Sequence, residues 1–363
     1  MIIPIFIPHE GCPHRCLFCN QHRISGQVGK PVTAEAVQAE IQTWLERTPP
    51  HQKTQVAFYG GSFTALPRLR QKELLNAAAP FLESGQVQSL RLSTRPDCLD
   101  DEQAAFLKAH QVATVELGVQ SMNEQVLALA RRGHSVAAVE QAMLVLRQAK
   151  LEIGIQLLLG LPGDKRASLR HTVEQVILLR PDFVRIYPIL VLRGSGLAEL
   201  YEQGRYQPFS LDKAVLLAAF MKKRFAQAGI PVIRLGLQAG AELESSLLAG
   251  PWHPAFGELV SSRLMFRQTK KLLAQAKTNQ VCLQINPRDQ SVFRGIKAAN
   301  IARLEQLGLW QRISLVTDPA QERGFIKMVA REECGSFTQE FGSVNKSCCR
   351  ATTFSGLATK GSG

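Results

Sequence analysis

From residue 2 to about residue 188, short runs rich in Ile, Val, Leu and Phe alternate with longer segments of helical period. That alternation requires a parallel sheet, because each strand is followed by a crossover long enough to bring the chain back beside it. Strands are expected at 2–7, 55–59, 89–94, 114–118, 153–159 and 183–187, and helices at 34–47, 69–82, 101–110, 126–150 (broken at Gly133) and 168–179. Thr33 and Asp100 stand where side-chain N-caps belong. Six βα units fall short of the eight that close a barrel. The expected fold class is therefore α/β, a partial (β/α)6 TIM-like barrel open at one side.

Past residue 188 the pattern loosens. Arg193-Gly194-Ser195-Gly196 opens a short helix, 211–228 reads as a long amphipathic helix, 230–235 as one more strand, and 237–257 as loop-rich. A smaller α/β unit follows, with helices at 259–276 and 297–307 and strands at 281–285 and 313–317. Within it, residues 293–301 slightly resemble the loop of RNA-binding KH modules. The expected division is 1–235 for the barrel, 236–330 for the C-terminal α/β extension and 331–363 for a disordered tail rich in Ser, Thr and Gly. Cys334, Cys348 and Cys349 in that tail could hold a second cluster, though adjacent thiols without core residues around them are more often incidental.

In barrels of this kind the loops at the C-terminal strand ends carry the chemistry. The first of them reads Gly11-Cys12-Pro13-His14-Arg15-Cys16-Leu17-Phe18-Cys19-Asn20. Its C-x3-C-x2-C spacing fits a loop that wraps an iron–sulfur cube and grips three of its four irons, leaving one open. A structural zinc is the nearest rival; it needs four ligands, and His9, His14 and His22 lie close enough to supply the last. Disulfide bonding is the weaker reading, since eight Cys in 363 residues form no disulfide-like framework and no signal peptide is apparent, which suits a reducing, cytoplasmic setting. No apolar run approaches the roughly 20 residues of a membrane span.

The formal net charge of +13 raises a polyanionic partner. From Leu259 onward 16 Lys and Arg face 7 Asp and Glu, so +9 of the total lies in the last 105 residues. A solvated basic face with no partner explains this equally well.

The Cys triad with Phe18 just before its third member resembles the motif of the radical S-adenosylmethionine (SAM) superfamily. The resemblance implies that Cys12, Cys16 and Cys19 hold a 4Fe–4S cluster whose open iron chelates the amino and carboxylate groups of SAM. One electron, from a donor such as flavodoxin or ferredoxin, then splits SAM to a 5′-deoxyadenosyl radical that abstracts hydrogen from a substrate.

A barrel that binds SAM must hold its methionyl, ribose and adenine parts. Gly60 and Gly61 let backbone approach the methionyl amine where a Cβ would collide, although paired Gly after a strand is often only a tight turn. The family's GGE reads Gly60-Gly61-Ser62 here, so the acceptor becomes a hydroxyl or a backbone carbonyl. Gln120 offers both a donor and an acceptor to ribose hydroxyls, and Glu116 on the same strand is costly in a core unless paired. Arg132 offers a guanidinium fork to the SAM carboxylate; the plainer reading of Arg131 and Arg132 is a solvated helix end. Motif by motif, the chain is similar to the subgroup containing oxygen-independent coproporphyrinogen oxidase and the catalytic subunit of Elongator. By that similarity Phe6, Gly60, Gly61, Ser62, Ser93, Gln120, Arg132 and Gln156 contact SAM. Ser93 and Gln156 replace carboxylates of the porphyrin enzymes, which argues against the porphyrin reaction.

The Elongator-like resemblance is longer, running over roughly residues 2–235 through Ser93-Thr94-Arg95-Pro96-Asp97, Val115–Ser121, Arg132-Gly133-His134, Gly160-Leu161-Pro162-Gly163 and 185–197. Elongator's acetyltransferase half is not recognisable. The resemblance thus implies a radical SAM enzyme whose substrate is tRNA or a small molecule, with His134 and Lys150 as candidates for the substrate pocket and no catalytic residue assigned. The alternative is an RNA-binding protein with a structural iron–sulfur or zinc site.

Overall fold

The computed structural model describes residues 1–25, 31–47, 49 and 52–330 of the 363. Strands β1 (Ile2–Phe6), β2 (Gln55–Tyr59), β3 (Ser89–Thr94), β4 (Val112–Gln120), β5 (Glu152–Leu159) and β6 (Phe183–Pro188) lie side by side in chain order.

 After the two-residue β7 (Val191–Leu192), β8 (Val232–Leu235) joins the free edge of β6, and all seven strands of the curled half-barrel are parallel. β9 (Leu247–Ala249) pairs antiparallel with β7.

Period-two alternation explains the curl's two faces. Ile3, Ile5, Val56, Phe58, Leu90, Leu92, Val115, Leu117, Ile153, Ile155, Val184 and Ile186 all point outward into one core under the helices. Each such side chain contributes about 1.5–3 kcal/mol on burial. The helices Ala34–Glu46, Arg68–Glu83, Val136–Gln148, Arg166–Leu179 and Leu211–Gln227 close that core through residues such as Ile41, Leu74, Met143, Val173 and Phe225. The residues between them on each strand face the hollow of the half-barrel and are markedly more polar. Thr33 and Asp100 cap their helices as expected, accepting from the Ala36 amide at 3.2 Å and the Gln103 amide at 2.7 Å.

The described residues divide into two compact units, those up to 267 with 292–300, and 268–291 with 301–330. The second contains β10 (Val281–Ile285), parallel to β11 (Ile313–Thr317) and antiparallel to β12 (Lys327–Val329), a strand that the sequence pattern does not announce. Its buried Asp289 carboxylate accepts from Arg323 Nε at 3.1 Å and the Gly324 amide at 2.6 Å.

Several expectations change in detail. The sheet has seven strands, the six of the expected βα units and the further strand expected at 230–235, which joins the edge beside β6 as β8. β4 is longer than expected at both ends, and the region 237–257 holds a short helix, Ala241–Ser246, besides β9. The stretch 126–150 is broken at Gly133 as expected, into Glu124–Leu129 and Val136–Gln148, with Gly133 at φ 79° between them. Residues 293–301 present no free KH-like loop. Asn300 Nδ2 ties them to the Ser262 carbonyl at 3.1 Å and hydroxyl at 2.9 Å, with Lys297 and Ala298 both left-handed. The expected tail at 331–363, with Cys334, Cys348 and Cys349, lies outside the described residues.

Candidate active site at the mouth of the half-barrel

Because all seven strands are parallel, their C-terminal ends share one rim, and the Cys loop leaves β1 at that rim. The loop is held from several sides. The Leu17 amide donates to the Ala130 carbonyl at 3.1 Å, the Leu197 amide to the Leu17 carbonyl at 2.7 Å, and Asn20 Nδ2 to the Arg193 carbonyl at 2.9 Å. Arg193-Gly194-Ser195-Gly196 therefore clasps the loop. Phe18 packs with Val126, Leu161, Ile189, Val191 and Leu197. Cys12, Cys16 and Cys19 are free thiols, and Cys16 is buried.

Burial, with the neighbouring Cys16 and Cys12 adding to it, pushes the Cys19 thiol up to about 12. Burial likewise raises Cys12, against the pull of Arg132. Arg132 Nη1 lies 3.4 Å from Cys16 Sγ, while its Nε is buried without a partner. This donor set fits an anionic iron–sulfur cube: three thiols to hold it, a guanidinium beside them, and a buried donor still lacking an acceptor. Among the described residues no group of three or more His, Cys, Asp or Glu is gathered as the ligands of a single ion would be. In a cube each thiolate takes its own iron. His9, considered as a zinc ligand, already accepts from the Gln21 amide through Nε2 at 3.0 Å.

The next two rim loops approach the Cys loop closely. A Cβ on Gly61 would lie 2.3 Å from the Glu10 carbonyl oxygen and 2.8 Å from that of Ile7, so only glycine fits there. The Ser62 amide donates to the same Glu10 carbonyl at 2.9 Å. Ser62 is fully buried, its hydroxyl 3.2 Å from that of Thr94 and accepting from the Arg95 amide at 3.3 Å. That side chain thus joins the β2 and β3 rim loops.

Gln120 and Arg132 converge over Gly118. A Cβ there would meet Arg132 Nη2 at 2.8 Å and Gln120 Nε2 at 3.0 Å, and Nη2 donates to the Gly118 carbonyl at 2.7 Å. Gln120 has φ 70°, a left-handed conformation that costs a non-glycine residue of order 1 kcal/mol and recurs at functional sites. Arg132 is buried and not the solvated helix end of the plainer reading. Its own carbonyl accepts from Arg95 Nη1 at 2.8 Å, and Arg95 is paired with Asp97 at 2.8 Å.

Deeper in the hollow, Gln156 Nε2 donates to Ser93 Oγ at 3.0 Å and to Glu116 Oε2 at 2.9 Å. Both amide protons are thereby committed, which leaves the Gln156 oxygen as the acceptor. Glu116 is fully buried between Arg91 Nη1 and Arg185 Nε, each at 2.9 Å. Tyr59 donates to Glu116 at 3.1 Å and accepts from Arg185 Nη2 at 3.0 Å, and burial with the Glu116 charge raises its phenol far above the ordinary range. Phe6 lies beside Tyr59, ring centroids 6.4 Å apart.

The rim thus gathers the three Cys, Gly60, Gly61, Ser62, Gln120 and Arg132, with Ser93 and Gln156 inside the hollow on β3 and β5. Lys150 does not join them: it precedes β5, at the opposite end of the strands, and is exposed. His134 is buried, and burial together with the Arg132 and Arg95 charges lowers it to about 3. A base depressed in the folded state leaves the unfolded chain binding more protons, so stability falls as pH drops below about 6.5, by about 1.4 kcal/mol per unit. His134→Gln is expected to flatten this dependence between pH 7 and 5; urea midpoints at the two pH values check it, and an unchanged slope in the variant would refute it.

Sequence reasoning passed over Arg91, Arg185, Tyr59 and Tyr187, although each sits at an inward, alternate strand position where a core strand would carry an apolar residue. It also passed over Cys98, in the turn Pro96–Cys98, close enough for its charge to act on Cys12.

A parallel half-barrel with a three-thiol loop at its mouth defines a cluster-binding α/β protein. Residues 6–176 match the radical SAM superfamily and residues 181–265 match the Radical_SAM C-terminal domain. The chain belongs to the radical SAM superfamily, whose cofactors are a 4Fe–4S cluster and SAM. Protein MJ0486 of Methanocaldococcus jannaschii is 28% identical over 223 residues, covering 57% of this chain and 66% of that protein. A tRNA uridine(34) acetyltransferase of the same organism is 25% identical over 260 residues, 61% of this chain and 48% of the relative. The solved structure of Methanocaldococcus infernus Elp3 lacking residues 1–46 shares the fold, with TM-score 0.58 and 22% identity over 73% of this chain and 62% of that one. The chain spans roughly half to two thirds of the length of these relatives. Among the described residues no helix is long and apolar enough to cross a membrane.

Proposed function

We propose that this protein is a cytoplasmic radical SAM enzyme that cleaves SAM reductively at the rim of the half-barrel and abstracts a hydrogen atom from a substrate admitted to its hollow. The observation that carries this is Arg132, buried with one nitrogen on Cys16, another on the β4 carbonyl of Gly118 and a third without a partner. Cys12, Cys16 and Cys19 would hold the cluster, which when loaded with SAM supplies the electron and the 5′-deoxyadenosyl radical.

The chain's own residues do the rest. Backbone around Gly60 and Gly61 receives the methionyl amine, and Arg132 pairs with the carboxylate. Gln120, Ser93 and the Gln156 oxygen face the ribose. Phe6 and Phe18 supply apolar surface that keeps water from the reacting carbon. Flavodoxin or ferredoxin would be the electron donor. Transfer RNA is the substrate class supported by the names of the acetyltransferase relatives and by the +9 charge of the last 105 residues.

Anaerobic reconstitution with iron and sulfide tests the reading. The wild type is expected to take up about four irons per chain and to form 5′-deoxyadenosine from SAM under dithionite, and Cys16→Ala to do neither. Equal nucleoside from the two proteins would sink the proposal, and zinc in place of iron after anaerobic purification would favour a structural metal site.

A further inference from the structure

The hollow carries more positive charge than it neutralises. Arg91 on β3, Arg185 on β6 and Arg234 on β8 all belong to its inner face, Arg234 lying in register with Arg185. Two carboxylates answer them. Glu116 takes Arg91 and Arg185, and Glu152 lies 3.7 Å from Arg91 at the start of β5. Arg234 has no ion-pair partner among the described residues; its Nε donates to the Gly236 carbonyl at 3.0 Å, and its two terminal nitrogens are left over.

Beside it, the Tyr187 hydroxyl accepts from Arg185 Nη1 at 3.3 Å and keeps its own proton for another acceptor. Guanidinium groups on adjacent strands repel unless an anion lies between them. Uncommitted N–H and O–H donors next to unbalanced positive charge are the features that bind an oxyanion, and a guanidinium fork matches phosphate or carboxylate geometry. β8 is also the last strand of the sheet, so this corner borders the open side of the half-barrel.

We propose that the substrate carries an oxyanion, a phosphate or a carboxylate, which docks against Arg234 and Tyr187 at the β6–β8 side of the hollow. The inference rests on the reading of this mouth as a substrate-admitting active site. It adds a binding site apart from the one for the SAM carboxylate, which falls to Arg132 across the rim.

The test titrates the reconstituted protein with inorganic phosphate, acetate or chloride at constant ionic strength and follows the thermal unfolding midpoint. Phosphate or acetate is expected to raise the midpoint saturably and chloride not to. Arg234→Gln should raise the half-saturating concentration about tenfold, the loss of one charge-assisted hydrogen bond, with iron content as in the wild type. Tyr187→Phe, which keeps the ring, should weaken the response in the same direction. Response to phosphate alone assigns a phosphoester substrate, and to acetate alone a carboxylate. An equal response to chloride, or wild-type titration by both variants, overturns the proposal. Since the readout needs no nucleoside, a protein that binds the anion at Arg234 yet never cleaves SAM would defeat the enzymatic reading and leave the anion site standing.

Discussion

Glu116→Ala is expected to lower the unfolding free energy by about 3–5 kcal/mol, because it strands the buried Arg91 and the half-buried Arg185 guanidinium groups without their shared carboxylate. Glu116 is fully buried, with Arg91 and Arg185 each 2.9 Å from a different carboxylate oxygen and with Tyr59 and Gln156 donating to the same group. Four strands, β2 to β5, and β6 beyond them are tied through this one side chain. Glu116→Gln keeps the shape and part of the hydrogen bonding but loses the charge, so it should fall between Ala and the wild type. Urea denaturation followed by far-UV circular dichroism provides the measurement, and a loss under about 1 kcal/mol for Glu116→Ala would show that the arginines find water or new partners once the carboxylate is gone.

Arg132→Lys is the second large effect, and it falls on cofactor binding. The guanidinium spans Cys16 Sγ and the Gly118 carbonyl with two nitrogens and leaves the third, Nε, buried without a partner, the nitrogen assigned to the SAM carboxylate in the proposed function. Lysine keeps the charge but cannot make a planar fork. Loss of one charge-assisted hydrogen bond to the SAM carboxylate should weaken SAM binding by roughly 10- to 100-fold, with iron content close to the wild type. Anaerobic equilibrium dialysis against labelled SAM measures the affinity, and a colorimetric iron assay the cluster content. Wild-type affinity in Arg132→Lys would reduce Arg132 to a prop between the Cys loop and β4.

The two substitutions touch residues of very different legibility. Arg132 stands out in the sequence through its motif, but the sequence leaves open whether it is a solvated helix end. Burial decides the matter, and burial comes from the packing of the Cys loop, through Leu17, against Ala130. Glu116 announces itself as a charge inside an apolar strand that must be paired. Its partners are 25 and 69 residues away in the chain, on strands whose order the sequence pattern suggests but whose register it does not.

By itself the sequence determined the βα alternation, and with it a parallel sheet and a common rim, since outward-facing residues must be apolar wherever helices cover a strand. It also determined the Cys spacing, a purely local property of one loop. The tertiary structure alone decided that β8 closes onto β6, that Arg185 and Arg234 face each other inside the hollow with too few carboxylates, and that Lys150 lies at the wrong end. Those outcomes depend on register and curl, which arise from packing between residues far apart in the chain and leave no periodic trace along it.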